Sequence, residues 1–517
     1  MIGLDQNNID ANSLSIKPGD TICIMAGVRK VLRLTNFHGN ELQKIVFINS
    51  GGEVIINGES PYNYGINISN CSFFRFTGVG TNNIKHGIKI LKTNIGASGL
   101  SIDHKSTNYE IDHLEIANTG FAGIFALTQP TCSNNENRGN FIQRNTYFHD
   151  NYIHNTFGEG LYIGHSFYSG HTLTCNGQEI TVYPHAIKGI KVYNNKIDST
   201  GWDGIQVSSA DSTCEIYNNM ITNYGIEIEN NQNSGIQIGG GTTGLCYNNA
   251  IINGSGTGIS VFGIGDNLFF NNIIINAGNI LSTKYSDKRA YGIFCDDRST
   301  IEGLPFNFIN NTIISPKTDG IRIYSNLSRN NKILNNLILK PGSFGNYNDS
   351  NLSYVYFNNN VDVQISNNYF SENLSPFIKN DNLESLYHFT STLPLCSKGV
   401  NTASYKILYD YFMTPRPTVE NSDIGAFQFN KSNANNNLEE IYIYPNPNFS
   451  EFMIVNNSES KIKKIEIFTY NGLLVYKQNI SNENSILINL KNIKLNGHYL
   501  ININTSKKNY LKPLILK

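Results

Sequence analysis

The side chains best suited to acid–base chemistry gather around one pair of segments. Glu159 stands in Glu-Gly-Leu-Tyr-Ile and Asp203 in Asp-Gly-Ile-Gln-Val, each just before a glycine. Between them lies an irregular stretch, 165–189, holding His165, Tyr168, His171, Tyr183, His185 and Lys188, with His154 and Trp202 bordering it. Carboxyl groups, imidazoles and an ammonium together can give a proton, take one and neutralise charge. The plain alternative is a solvated loop with stray histidines, beside carboxylates that cap turns. The residue two places after Glu159 or Asp203's glycine, followed along the chain, gives Tyr162, Gln206, Gln237 and Arg322. With Trp202, these aromatic faces, amides and guanidinium are the candidate substrate-binding residues. Asp296 and Asp297 are a tentative calcium site through carboxylates and backbone oxygens, with turn capping as the plainer reading. Calcium is the one cofactor expected.

These positions can be aligned because the chain repeats. A strand ending in Asn-Asn recurs as KVYNNKI at 191, EIYNNMI at 215, LCYNNAI at 245, LFFNNII at 268, NFINNTI at 307 and KILNNLI at 332. A second strand follows each time as Gly-Ile-x-Ile or a close variant, as in DGIQV at 203 and SGIQI at 234. Where nothing is inserted the second Asn returns after 24 residues (195 to 219), 23 (249 to 272) or 25 (311 to 336). That period is one coil of a parallel β-helix. Alternation sends Ile205 and Val207 to one side and Gln206 to the other. One coil cannot bury its inward residues alone, so coils stack about 4.8 Å apart and bury a continuous column. The Asn-Asn pairs then fall at equivalent bends, where Asn tolerates the left-handed backbone and its amide can bond the next coil. Glu159 and Asp203 become neighbours on adjacent coils.

The totals exclude several classes. Lys+Arg is 39 and Asp+Glu 40, so no net charge draws the protein to nucleic acid or an anionic membrane. No apolar run approaches the roughly 20 residues of a membrane-spanning helix. The start, MIGLDQNNID, has neither the basic nor the apolar part of a secretory signal, and Met1 is read as replacing a signal already removed. The eight cysteines make no C-x-x-C metal pattern. Cys246 and Cys295 replace Ile or Val of neighbouring repeats and are expected in the core. Cys132 and Cys175 flank irregular insertions and are a candidate disulfide.

Three stretches carry resemblances. SIKPGDTICIMAGVRKVLRLTNFHG at 15–39 resembles the opening coil of secreted pectate-lyase-like β-helices, and RPTVENSDIGAFQF at 416–429 resembles the segment closing many bacterial β-helix proteins. Beyond a polar linker, 431–440, short alternating strands separated by Asn-Gly turns run to the C-terminus. Their order, YPNP, NGLLVY, NGHYLI and a basic apolar end, resembles the type A sorting domain of the type IX secretion system in Bacteroidetes-type bacteria. Asn448-Phe449-Ser450 departs from it, since a Gly is usual after Pro447. The expectation is an all-β protein: a right-handed parallel β-helix over 1–430, then a small β-sandwich over 441–517. It implies a secreted or cell-surface monomer that meets the type IX machinery and a polysaccharide.

The leading expectation, carried by the resemblance, is a polysaccharide lyase acting by β-elimination on a uronate-containing polymer. Lys188 or Arg322 would neutralise the sugar carboxylate, while His185, His165 or Tyr168 serves as base or acid; His154, Glu159 and Asp203 complete the catalytic set. The second reading is a glycoside hydrolase with Glu159 and Asp203 as its carboxyl pair. The third is a non-catalytic glycan-binding adhesin.

Overall fold

The structure, a computed structural model, describes every residue except 58–61, 280–287, 345–352, 375–394, 429–440, 445–450, 457–459, 470–472, 484, 491–492, 494–496 and 517. One coil shows how the sequence bends. Lys191–Tyr193 forms a strand on a first face, Asn194 and Asn195 turn the chain, Lys196–Thr200 lies on a second face, and Ile205–Val207 on a third. The next coil pairs with it in parallel at every face: Val192 with Ile216, Ile197 with Ile221, Ile205 with Ile236. The third face is a 12-stranded sheet. The other two merge into a 22-stranded sheet because the early strands Thr21–Arg29 and Ile45–Asn57 run through both. The expected right-handed parallel β-helix is present.

Inward residues form one core from Ile2 to Val361, in which Cys71, Cys214, Cys246 and Cys295 pack as small apolar groups. Burying each Ile or Val contributes about 1.5–3 kcal/mol, and the columns continue from coil to coil without a break in the alternation. The glycine of each Gly-Ile pair has a steric cause. A Cβ on Gly160 would lie 2.5 Å from the carbonyl oxygen of Gly204, and one on Gly123 2.7 Å from that of Gly160.

The Asn-Asn pair divides its labour. The first residue takes the left-handed corner, with φ of 55° at Asn194, 54° at Asn218 and 53° at Asn248. The second points inward and builds a ladder: Asn195 Nδ2 donates to Asn219 Oδ1, Asn219 Nδ2 to Asn249 Oδ1 and Asn249 Nδ2 to Asn272 Oδ1, each at 3.0 Å. Each acceptor also takes the backbone N–H of the preceding Asn, at 3.1 Å.

The segment 416–427 straps the outside of later coils. Arg416 donates to Asn271 Oδ1 at 2.8 Å, Gly425 N to Asn335 O at 2.7 Å and Ala426 N to Thr312 Oγ1 at 2.9 Å. Contacts divide the chain into this β-helical body and a second unit that takes in Gln428–Lys517. The latter has two antiparallel sheets, one of Ile441–Tyr444, Glu451–Asn456 and Ser485–Asn489, the other of Leu474–Glu483, Ile462–Thr469, Gly497–Thr505 and Asn509–Leu516. Their shared core includes Phe452, Ile465, Ile501 and Leu514, as a small β-sandwich requires. The linker 431–440, Pro445–Ser450 and the Asn-Gly turns at 471–472 and Asn496 lie outside the described residues.

Candidate active site

Glu159 and Asp203 sit on consecutive coils of the third face, at the strand entrances. Leu161 pairs with Ile205 and Tyr162 with Gln206, while Gly160 N donates to Asp203 O. Both carboxyl groups are wholly buried. Asp203 Oδ1 accepts the amide of Ser234 at 2.6 Å. Asp203 Oδ2 and both oxygens of Glu159 have no hydrogen-bond partner among the described residues. Burial pushes Glu159 up to about 7. Burial, then the neighbouring Glu159, raises Asp203 well above the ordinary carboxyl range, against the opposing pull of the Ser234 amide. An unpaired buried carboxyl is costly and is characteristic of sites that use it.

An aromatic cluster borders the pair, and a glycine makes it possible. Phe121, Gly158 and Trp202 occupy the same place on three coils, directly before Ala122, Glu159 and Asp203. Because Gly158 has no side chain, rings from the coils on either side meet across it: Phe121 and Trp202 lie 5.5 Å apart at 80°. A Cβ on Gly158 would lie 2.9 Å from Phe121 Cδ2. Phe121 also meets Phe125 at 5.6 Å and Tyr162 at 6.4 Å, and Trp202 meets Phe157 at 6.4 Å. Tyr162 and Trp202 were legible in the sequence; Phe121 and Phe157 were not, although aligning the residue before Glu159 and Asp203 would have exposed the Phe-Gly-Trp column.

Onward from Tyr162, the outer side of this face is an amide and hydroxyl ladder. Ser166 joins Tyr162 Oη at 2.8 Å and accepts from Gln206 Nε2 at 2.9 Å. Gln237 Nε2 donates to Gln206 Oε1 at 2.8 Å. Ser166 thus folds the start of the insertion back onto the face.

The rest of the insertion is an antiparallel hairpin, His171–Cys175 with Gln178–Val182, tied to the preceding loop by the disulfide Cys132–Cys175. Arg138, absent from the sequence-based set, organises it. Its guanidinium lies 4.0 Å over the Tyr168 ring and donates to Tyr168 O at 2.6 Å and Pro184 O at 3.2 Å. His165 Nε2 meets Gln129 Oε1 at 3.1 Å, and its Nδ1 accepts Phe167 N at 3.1 Å. His185 is buried against Phe141, with Nδ1 on Ala186 O. Burial pushes both imidazoles down to about 4, so both are neutral, weak bases at pH 7.

Other expected site residues stand elsewhere. His154 projects from the second face, stacked on Tyr152 and 3.6 Å from Glu115. Lys188 lies on a short added strand with Asp211 at 3.9 Å. Arg322 is several coils along the third face, paired with Asp319 at 3.2 Å and boxed by Tyr291, Tyr324 and Tyr356. Asp297 accepts from Ser325, Asn326 and Leu327, and Asp296 from Arg298 N and Nε, so both carboxylates are occupied in turns.

Among the described residues, Glu110, Asp112 and His149 have donor atoms close enough for a metal. Their charges are already matched. Arg75 grips Asp112 through Nε at 2.7 Å and Nη2 at 2.9 Å, and His149 bridges Asp150 at 2.7 Å and Glu110 at 3.1 Å. Those bonds outweigh burial and hold His149 up to about 9. Its ring starts a stack with Tyr193, Tyr217, Tyr247 and Phe270, each 4.5–4.9 Å from the next and nearly parallel.

Residues 180–361 match the family described as right handed beta helix region, and residues 442–517 match the secretion system C-terminal sorting domain. The chain is therefore a β-helix protein with a sorting module at its C-terminus. That module marks it for export by the type IX system to the cell surface or beyond. No curated protein matches the chain in sequence. Similar solved structures include pectate lyase Pel9A (11% identity, TM-score 0.42, covering 81% of this chain and 90% of that one). Two others are the GH136 lacto-N-biosidase from Eubacterium ramulus (12%, 0.47, 70% and 63%) and alginate lyase from Paenibacillus sp. str. FPU-7 (17%, 0.37, 68% and 97%).

Proposed function

We propose that the third face cleaves a glycan by hydrolysis, with Glu159 as proton donor and Asp203 as its partner. The reading is carried by one observation: two buried carboxyl groups on consecutive coils, three of whose four oxygens lack a partner among the described residues. We assign the single charge of the pair to Asp203, because its Oδ1 accepts the Ser234 amide, although burial and the neighbouring Glu159 both raise it. Glu159, whose burial outweighs the pull of its own backbone N–H, keeps its proton up to about pH 7, which suits a general acid.

Coil spacing of about 4.8 Å favours the short separation, about 5–5.5 Å, of pairs that retain anomeric configuration. Asp203 would then attack the anomeric carbon while Glu159 protonates the departing oxygen. Glu159 afterwards takes a proton from the water that releases the sugar. Phe121, Tyr162 and Trp202 supply ring surfaces for the sugar, and Gln206 and Gln237 supply amides.

Elimination on a uronate, placed first by resemblance, calls for a cation at the sugar carboxylate. No cation acts on Glu159 or Asp203 among the described residues, Lys188 is turned to Asp211, and Arg322 is matched by Asp319. This favours hydrolysis. The test is a panel of neutral and acidic polysaccharides assayed for new reducing ends and for unsaturated-uronate absorbance, with Glu159→Gln and Asp203→Asn as controls. Reducing ends without absorbance, lost in both variants, support the reading. Unsaturated product, or binding with no cleavage, overturns it.

A further inference from the structure

The turn from the second face to the third, just before the acid pair, forms an open groove of about 430 Å3. That size falls within the range of small-molecule sites, about 300–1,000 Å3. Its base is a corner column on three consecutive coils, Asn118, Asn155 and Ser199, all left-handed, which turns one polar side chain per coil into the same edge. Apolar side chains border this column. Ile95 is 99% exposed, Phe157 51% and Ile226 41%, an unusual amount of open apolar surface around one polar strip.

The polar groups share a chemistry. Asn118 spends one amide N–H on Leu91 O at 3.1 Å, and Asn155 Nδ2 meets His154 Nδ1 at 3.3 Å, so each keeps its side-chain oxygen as an acceptor and a second N–H as a donor. Glu227 is the one ionisable residue lining the groove. Acceptors and a carboxylate beside apolar faces suit a ring that offers many hydroxyl donors and an apolar face. The Glu227 carboxylate repels a carboxylated or sulfated one. The groove borders the coils of the acid pair: Phe157 is two residues before Glu159, and its ring meets Trp202, next to Asp203.

We propose that this groove is a subsite for neutral pyranose units adjoining the bond that the acid pair cleaves, with Phe157 as its stacking surface and Glu227 excluding anionic sugars. The proposal rests on the hydrolase reading and narrows its substrate to a neutral glycan.

The test uses the full chain. Binding of neutral gluco-, xylo-, manno- and galacto-hexasaccharides, and of hexagalacturonate as the anionic probe, is measured by calorimetry on the Glu159→Gln protein, alone and with Phe157→Ala or Glu227→Lys added. At least one neutral probe should bind, about tenfold more weakly with Phe157→Ala, a stacking-sized loss. Glu227→Lys should let hexagalacturonate bind. In the protein with its acid pair intact, Phe157→Ala should raise KM for the bound glycan and leave kcat within about twofold. Phe157 is half exposed, so its removal leaves the core intact. Failure of every neutral probe to bind, preference for hexagalacturonate in the parent, or no effect of either added substitution overturns the subsite. Full turnover by Glu159→Gln overturns the hydrolase reading instead, whatever the groove does.

Discussion

Glu159 and Asp203 are separated in sequence by the whole hairpin insertion, yet the Gly160 amide donates to the Asp203 carbonyl at 3.0 Å and sets the two carboxyl groups side by side. Neither is offered a cation by a described residue, and no other described residue gives Glu159 a hydrogen bond. The arrangement keeps protons on groups that would shed them in water.

That has a sign in stability. Glu159 is raised from 4.5 to about 7 by folding, so its contribution is complete below pH 4.5 and is lost as pH rises through about 7. Glu159→Gln should therefore raise the melting temperature at pH 8.5 relative to the parent and change it little at pH 4.5. Equal shifts at both pH values would contradict a buried, proton-holding carboxyl.

His149 gives the companion case on the first face. Its folded value is raised from 6.5 to about 9 by Asp150 and Glu110. The stability it confers is complete below pH 6.5 and declines as pH passes 9. Imidazole resonances followed by NMR should titrate near 9, and Glu110→Gln should lower that midpoint.

The Asn ladder can be cut at its middle. Asn249→Leu removes the acceptor for both the backbone and side-chain N–H of Asn219 and the donor to Ile216 O and Asn272. Leaving such buried groups unpaired should cost about 2–4 kcal/mol in denaturant unfolding. The corner neighbour Asn248→Gly, also buried, should cost far less, because glycine accepts the left-handed backbone.

Trp202 is the chain's single tryptophan, so its fluorescence reports on the site alone. Gly158→Ala places a methyl group against Phe121 and should part the Phe121–Trp202 contact, changing the emission and costing about 1–3 kcal/mol. An unchanged spectrum would mean that the rings do not meet across the glycine.

Much of this was legible because a coil repeats the same demands. The Gly-Ile pair recurs because any Cβ there strikes the next coil's carbonyl, and the Asn-Asn pair recurs because one residue must turn and the other must bond. The same regularity aligned Glu159 with Asp203 by counting. What counting could not reach depends on contacts that skip a coil or cross loops. Phe121 and Trp202 meet only because Gly158 lies between them, and Arg138 holds the insertion from a different loop. His154 stood close in sequence to Glu159 but projects from another face, a consequence of the corner at Asn155 that turns the chain between them.

The ladder has a direction. From Asn195 to Asn249 each rung hands its backbone N–H and one side-chain N–H forward, toward the coil nearer the C-terminus, and returns the other side-chain N–H to a carbonyl of the coil before. A coil at either edge of the stack is therefore incomplete until its neighbour is in place. Asn368, the last rung among the described residues, makes the same return bonds, to Ile333 O and Ser366 O.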